Sequence, residues 1–586
     1  MSEAPPLFQS YRPRPITEQS MQWRVWAPLA DRVEIVFFEN DQEATRSTML
    51  RDDAGVHTHE GEGSHGLRYG YSLDGGPPLP DPCSLHQPTG VHDPSEVYFP
   101  ERFDWRSSAP SIEQKDRILY ELHIGTFTTK GTFDAAIARL DDLVELGVNT
   151  LEVLPVSQFP GERNWGYDGV HPYATQNTYG GPEAFQRFVD AAHDKGLQVI
   201  LDVVFNHLGP EGNYLSQFGP YFTNRHSTPW GQAFRFDDPA APQVRDWILD
   251  CVSMWIHDFR IDGLRLDAVH AIFDSSERHL LSEIKLVADQ AAKARGGDAF
   301  VIAESLVNDP SMVTPLADGG LGLDAEWNED FHHAVSAWMT EEAHGKYVDY
   351  GDLDAIENVL RSNLHLTGQH SHFYGEPWGR EADSVAPNRY VISLQNHDHI
   401  GNRACGERIA TLVDSQKLRL AICLQFLSPF LPMLFMGEEY GETNPFLFFC
   451  SFSDPQLIRN VRRGRKRDYA LQGEVPDPQA ESSFEQSKLS WAWKAPERKA
   501  IRQLVRDLIA LRKEEPGLRE ISSRSLTRIE SGQAVILSLE TGDLCRWFNM
   551  SEHPACLPAE KTLIWRSEEA GPTLAPFGAI VFRDRP

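Results

Sequence analysis

The feature that most restricts how this chain can fold is a repetition. An apolar run of strand length recurs eight times: ILYELHIGTF (118–127), NTLEVLPV (149–156), LQVILDVVFNH (197–207), GLRLDAVH (263–270), AFVIAESL (299–306), LDAEWNEDF (323–331), YVISLQNHD (390–398) and PMLFMGEE (432–439). Helical patterns separate several of them, and TFDAAIARLDDLVELG, GPEAFQRFVDAAHDKG and VRDWILDCVSMWIHDF are clearly amphipathic. Strands that alternate with helices pair in parallel, and parallel strands are buried on both faces, so they read as nearly continuous apolar runs. Eight such units predict an α/β chain built on a (β/α)8 barrel. At 586 residues the chain exceeds one ordinary domain. Ahead of the barrel, MQWRVWAPLADRVEIVFF and GLRYGYSLDGG alternate like strands of a small β-sandwich. GEGSHG (61–66) matches a dinucleotide fingerprint in form, but it leads into a strand, not a helix, and reads as a turn. Behind the barrel, after the helical RKAIRQLVRDLIALRKEE, the strands QAVILSLE and GAIVFRD predict a C-terminal β-domain. The expected divisions are a sandwich over 1–108, a barrel over 109–517 and a β-domain over 518–586.

A barrel of this kind places its chemistry at the C-terminal ends of its strands. Polar residues gather there: His207 after the third run, Asp267 and His270 after the fourth, Glu304 after the fifth, His397 and Asp398 after the seventh, Glu438 and Glu439 after the eighth. The 206–243 connection is too long for a plain strand-to-helix link, and loops of that length are usually functional. In RIDGLRLDAVH (260–270), strand alternation sets Leu264, Leu266 and Ala268 on one face and Gly263, Arg265 and Asp267 on the other. A single arginine–aspartate pair is ordinary. Several carboxylates converging on one rim are costly to keep there without a function. The chemistry such a set suits is glycoside hydrolysis or transfer, which needs one ionised carboxylate and one protonated carboxyl. Asp267 and Glu304 end adjacent strands, Arg265 can hold Asp267 ionised, and the apolar run before Glu304 offers it a dry setting. Asp398 adds negative charge where an oxocarbenium ion would develop. Metal binding is the other reading of this His/Asp/Glu set, although no dedicated spacing such as HExxH is present.

DVVFNH, GLRLDAVH, VIAES and NHD resemble the four ordered signature segments of the α-amylase clan of glycoside hydrolases. The resemblance implies Asp267 as nucleophile, Glu304 as acid/base and Asp398 as the third, transition-state-stabilising carboxylate. It implies that His207, Arg265 and His397 surround the glucose ring at the cleavage point, with Tyr167 of WGYDGVHPY stacked beneath it. Within the clan, DGLRLDAVHAIFD, STPWG, EWNEDFHHAV, MGEEYGETNPFLFF and PDPCSLHQPTGVHDPSEV are similar to the malto-oligosyltrehalose trehalohydrolase family. That likeness implies cleavage of the α-1,4 bond beside a terminal α,α-trehalose. It also implies that three segments line the substrate cleft: Arg265, Leu266, Asp267, Ala268, Val269 and His270; Glu329, Asp330, Phe331, His332 and His333; and Asp398, His399, Ile400, Gly401, Asn402 and Arg403. Two positions depart from the family's common pattern, Glu329 and His399, where a glutamine is frequent at the latter. A 1,4-α-glucan branching enzyme, a plain α-amylase or debranching hydrolase, and a silent glucan-binding scaffold are the rival readings. The intact Asp267, Glu304 and Asp398 oppose the last.

A net charge of −30 lacks the basic footprint that nucleic-acid binding needs. The one basic run, RNVRRGRKRDY (459–469), reads as a solvated loop or helix face. No secretory signal opens the chain, and the longest apolar run is broken by prolines, so a membrane partner is not expected. Seven scattered cysteines, odd in number and without metal-type pairing, fit a reducing cytoplasm. No cofactor and no metal is expected, the acidic cluster of a strong calcium site being absent near Asn206. A monomer or homodimer acting on an α-glucan is the expected state.

Overall fold

The computed structural model describes residues 8–584 apart from 18, 41, 239–240, 470–474, 521–522, 559–560 and 569–570. The first seven residues of the segment read above for a signal, and two residues of the 206–243 connection, lie outside the described residues.

Eight parallel strands close into a barrel: β1 (Leu119–Leu122), β2 (Thr150–Val153), β3 (Gln198–Val203), β4 (Gly263–Leu266), β5 (Phe300–Ala303), β6 (Ala325–Trp327), β7 (Tyr390–Ile392) and β8 (Leu431–Phe435). β8 pairs back onto β1 through Met433 and Leu119. Each strand falls within one of the eight apolar runs, β8 starting one residue early. Leu119, Ile200, Phe300, Ile302, Ala325, Trp327, Val391, Leu431 and Met433 form one buried cluster inside the barrel. The outward faces, Leu264 and Leu266 among them, belong to the larger core shared with the helices. Full burial of each such side chain contributes about 1.5–3 kcal/mol. On β4 the alternation therefore sends Arg265 inward, its guanidinium 4.2 Å from the ring centre of Trp327.

The helix Gly181–Asp194 carries Pro182 in its first turn and buries Phe185, Phe188 and Val189 along one face. TFDAAIARLDDLVELG, expected as one helix, forms two, Phe133–Ile137 and Leu140–Leu146. The break falls beside Arg139, whose guanidinium lies 4.4 Å from the ring centre of Trp491, so a tertiary contact accompanies the turn. The basic run is helical within Pro455–Asp468.

Two four-stranded sheets precede the barrel, each built around a long central pair: Ser20–Trp26 with Val56–Glu62, and Val33–Glu39 with Arg68–Leu73. Trp23, Tyr69 and Tyr71 are buried between them. GEGSHG runs from the end of one strand through the turn before Arg68. At the other end, a five-stranded antiparallel sheet contains Ala534–Thr541 and Ala579–Asp584, the two strands expected there.

Two connections reach over the strand ends. After β3 the chain forms a hairpin, Phe222–Thr228 with Gly231–Phe234, pinned by stacked Phe222 and Phe234 rings 4.9 Å apart. After β6 comes the helix Glu329–Thr340, whose N-cap Asn328 accepts from the amide of Phe331, and then a long segment that returns at β7.

Candidate active site

The C-terminal ends of the strands surround a cavity of about 570 Å3 lined by Tyr167, His207, Trp230, Arg265, Asp267, Glu304, His397 and Asp398. Arg265 is the hub. Its Nη1 donates to both carboxylate oxygens of Asp202, at 3.0 and 2.9 Å, and to Oδ1 of Asp267 at 2.8 Å. Its Nη2 stands 3.6 Å from Oε2 of Glu304. One cation thus faces three carboxyl groups in a buried setting. It cannot neutralise all of them, so protons must be shared unequally.

The sharing follows the contacts. Burial alone would raise Asp267, but Arg265, His207 and the amide of Asn206 outweigh it and hold the carboxyl below the usual carboxylate range. Asn206 donates to Oδ2 of Asp267 at 2.8 Å and to its backbone carbonyl at 2.7 Å. Glu304 lies farther from the guanidinium. Burial, with the charges of Asp267, Glu329 and Asp398, overcomes Arg265 and pushes it up to about 8. Asp202 is pushed up to about 6 by burial, with Arg265 opposing. At neutral pH the cavity therefore offers an ionised Asp267 beside a protonated Glu304.

The backbone enforces this proximity. The ladder of β4 and β5 continues past the strands, with the amide of Glu304 donating to the carbonyl of Leu266 and that of Val269 to the carbonyl of Glu304. Between them Ala268 adopts φ 42°, a left-handed conformation that costs a residue with a Cβ roughly 1–2 kcal/mol. That turn directs the Ala268 amide onto Oε2 of Glu304 at 2.5 Å.

The other walls are held as firmly. Tyr167 donates its hydroxyl to Asp202 at 2.6 Å and stacks on His397, ring centres 5.0 Å apart. Nδ1 of His397 pairs with Glu121 of β1 at 2.6 Å. Burial disfavours the charged ring, but Glu121 prevails and raises its pKa. Asn402 donates to Asp398 at 2.6 Å. Trp230, at the tip of the hairpin, stacks on His207 with ring centres 5.2 Å apart and is 48% exposed, an apolar face open to a ligand.

Of the residues expected at the cleft, Asp267, Glu304, Asp398, Tyr167, His207, Arg265, Ala268, His270, His397 and Asn402 line this cavity. Glu329, Asp330 and His333 line an adjoining side cavity that shares Leu306 and Lys346 with it. Asp330 has little left for a ligand: its oxygens accept from Asn308, Tyr350 and the amides of His365 and Leu366. The remaining members of the three segments are not among the residues that line these two cavities. Leu266, Val269, Phe331 and Ile400 belong to the hydrophobic core, because alternate positions of a strand or helix turn must face the packed side. Gly401 supports the wall instead of contacting a ligand, since a Cβ there would come within 1.9 Å of the Trp165 ring. Arg403 is paired with Glu342 at 2.7 Å. His332 and His399 stack on each other at 3.5 Å, and His399 pairs with Glu329 at 2.7 Å, so the two departures from the family pattern touch.

Several lining or supporting residues went unmarked in the sequence. Asp202 and Glu121 carried a signal, a charge inside an apolar strand run, which demands a buried partner. Lys346 carried none: it reaches both cavities from the segment after the helix Glu329–Thr340. Val461, Arg465 and Asp468 of the basic run line the cavity, Arg465 with its guanidinium 4.9 Å from the ring centre of Phe448.

Because Arg265 is buried among carboxyl groups, Arg265→Met should destabilise the protein by about 3–5 kcal/mol, the cost of leaving a buried charge without its partner. Urea unfolding followed by tryptophan fluorescence checks this, and an unshifted midpoint would remove Arg265 as the electrostatic hub.

Residues 97–228 and 238–520 match the alpha amylase catalytic domain family, and residues 10–82 match carbohydrate-binding module 48, the isoamylase N-terminal domain. The malto-oligosyltrehalose trehalohydrolase of Saccharolobus solfataricus is 44% identical over 81% of this chain and 83% of its own. That of Mycobacterium tuberculosis is 39% identical over 94% and 96%. Among solved structures, a protein from Salmonella typhimurium crystallised as a candidate alpha amylase superposes with a TM-score of 0.89 at 36% identity, over 98% of this chain and 100% of that one. With its closed barrel, flanking β-domains and rim of carboxylates, this chain is a glycoside hydrolase of the α-amylase clan and belongs to the malto-oligosyltrehalose trehalohydrolase family.

Proposed function

We propose that this enzyme hydrolyses the α-1,4 bond next to the α,α-trehalose end of malto-oligosyltrehalose, with retention of configuration, and releases trehalose. The observation that carries the reading is the pair of carboxyls on one guanidinium, Asp267 held ionised and Glu304 held protonated. Asp267 attacks the anomeric carbon while Glu304 protonates the departing oxygen of trehalose. The glycosyl ester on Asp267 is then opened by a water whose proton Glu304, now ionised, accepts. Asp398 faces the positive charge that develops in each step. His207, His397 and Tyr167 fit a role around the reacting ring, and Trp230 a stacking role at the cavity mouth.

Two measurements test this. Early product followed by proton NMR should show the α-anomer at the new reducing end, and a β-anomer would overturn the double displacement. Maltotriosyltrehalose should yield trehalose, while maltopentaose and amylose are cleaved little. New branch points in amylose would instead favour a branching enzyme, and glucan binding without any product a scaffold.

We further read 1–108, 109–517 and 518–586 as three domains, and the compartment as the cytoplasm. Among the described residues no cysteine forms a disulfide, which suits reducing surroundings, and no helix is long and apolar enough to cross a membrane. We read the working state as a monomer or homodimer acting on an α-glucan.

A further inference from the structure

Beside the reaction cavity, three side chains of metal-ligating type meet. Glu329 and His333 lie four residues apart in the helix Glu329–Thr340, on one face. His399 comes from the short helix His397–Gly401. One donor atom from each of Glu329, His333 and His399 lies within 4.8 Å of the other two. His399 is anchored by its 2.7 Å bond to Glu329 and by the His332 ring stacked flat on it, interplanar angle 7°. His332 is itself fixed at both nitrogens, by the carbonyl of Leu394 at 2.6 Å and the hydroxyl of Tyr347 at 3.0 Å. One feature marks the cluster as unfinished. His333, only 7% exposed, makes no side-chain hydrogen bond among the described residues, and it lines the side cavity.

We propose that Glu329, His333 and His399 form a site for a divalent transition-metal ion, with zinc as the type, whose fourth position opens to the side cavity. Two imidazoles and one carboxylate are the donors that zinc, cobalt, nickel and copper accept, and they disfavour the oxygen-seeking magnesium and calcium. Donors of a tetrahedral zinc ion stand roughly 3.3 Å apart at zinc–ligand distances of about 2 Å, so small side-chain shifts close the site. The stacked His332 supplies the orientation that outer partners give to metal-bound histidines. Lys346 lines the same cavity, and its ammonium opposes a cation. The ion is therefore held exchangeably, not as a resident structural metal, and it obstructs the side cavity when bound. The site rests on this geometry and not on the reaction proposed above.

Cobalt(II) serves as the probe. The full chain, stripped with a chelator, should take up cobalt with the intense visible absorption of a four-coordinate ion, and zinc should displace it. His399→Gln, which can still hydrogen-bond Glu329 through its amide, and His333→Ala should each weaken uptake at least tenfold. Equal uptake and equal spectra in the wild type and both variants overturn the proposal. Should a variant fail to fold, the wild-type spectrum decides alone: the weak bands of a six-coordinate hydrated ion refute the site. Because the readout is metal binding, it stands apart from whichever glucan the enzyme proves to cleave.

Discussion

Asp267→Asn is expected to lower kcat on malto-oligosyltrehalose by on the order of 10^4–10^6-fold, the range seen when a covalent nucleophile is removed. The amide is a poor nucleophile, so no glycosyl ester forms. The fold should survive. Asparagine has nearly the same shape, Asn206 can still donate to its side-chain and backbone oxygens, and Arg265 keeps both bonds to Asp202. The guanidinium is not left unpaired, which is where buried ion pairs become expensive to break. A second readout accompanies the loss. The charge of Asp267 is one of the causes that raise Glu304, so neutralising it should bring the Glu304 carboxyl down from about 8. Circular dichroism confirms the fold and progress curves give kcat; retention of more than about one part in a hundred of the activity, against the ~10^4-fold loss expected for a nucleophile, would sink the assignment.

Glu304→Gln should cost about 10^2–10^4-fold on the natural substrate, the usual worth of a general acid. The loss should shrink on an aryl α-glucoside, whose phenolate departs with little help. The pH profile carries the sign. A carboxyl raised to about 8 is protonated below that pH and able to donate, and it loses the proton above it, so the activity of the wild type should fall as pH rises through about 8. The acid limb belongs to Asp267, which stays ionised until the pH drops below the usual carboxylate range. In Glu304→Gln the alkaline limb should vanish while the acid limb remains. An alkaline limb that persists unchanged in the variant would assign it to another group.

Much of this was legible along the chain because the periodicities involved are local. A strand buried on both faces must be apolar almost throughout, so eight such runs were visible at their true places. Alternation set Arg265 and Asp267 on one face, and the barrel geometry said which end of the strand they occupy. Charges within apolar strands, Glu121 and Asp202, were equally visible, yet their partners were not: Glu121 meets His397 across 276 residues of sequence, and no local rule pairs them. The three cleft segments were named as blocks, whereas a helix or strand can show only some of its residues to a cavity. Leu266, Val269, Phe331 and Ile400 went to the core for that reason.

The residues that could do acid–base chemistry, the order of the strands that carry them and the pairing of Arg265 with Asp267 were determined by sequence alone, since each depends on spacing within a few residues. What tertiary structure decided was the division of protons. Arg265 lies closer to Asp267 than to Glu304, at 2.8 against 3.6 Å, in a pocket that strips both carboxyls of water. That difference is set by how β4 and β5 lie side by side and by the left-handed turn at Ala268, and it separates two chemically similar acids into an ionised nucleophile and a proton donor. Tertiary structure also brought Lys346 to the cavities and joined Glu329 to His399, because electrostatic and hydrogen-bonding energies depend on distance in space and not along the chain.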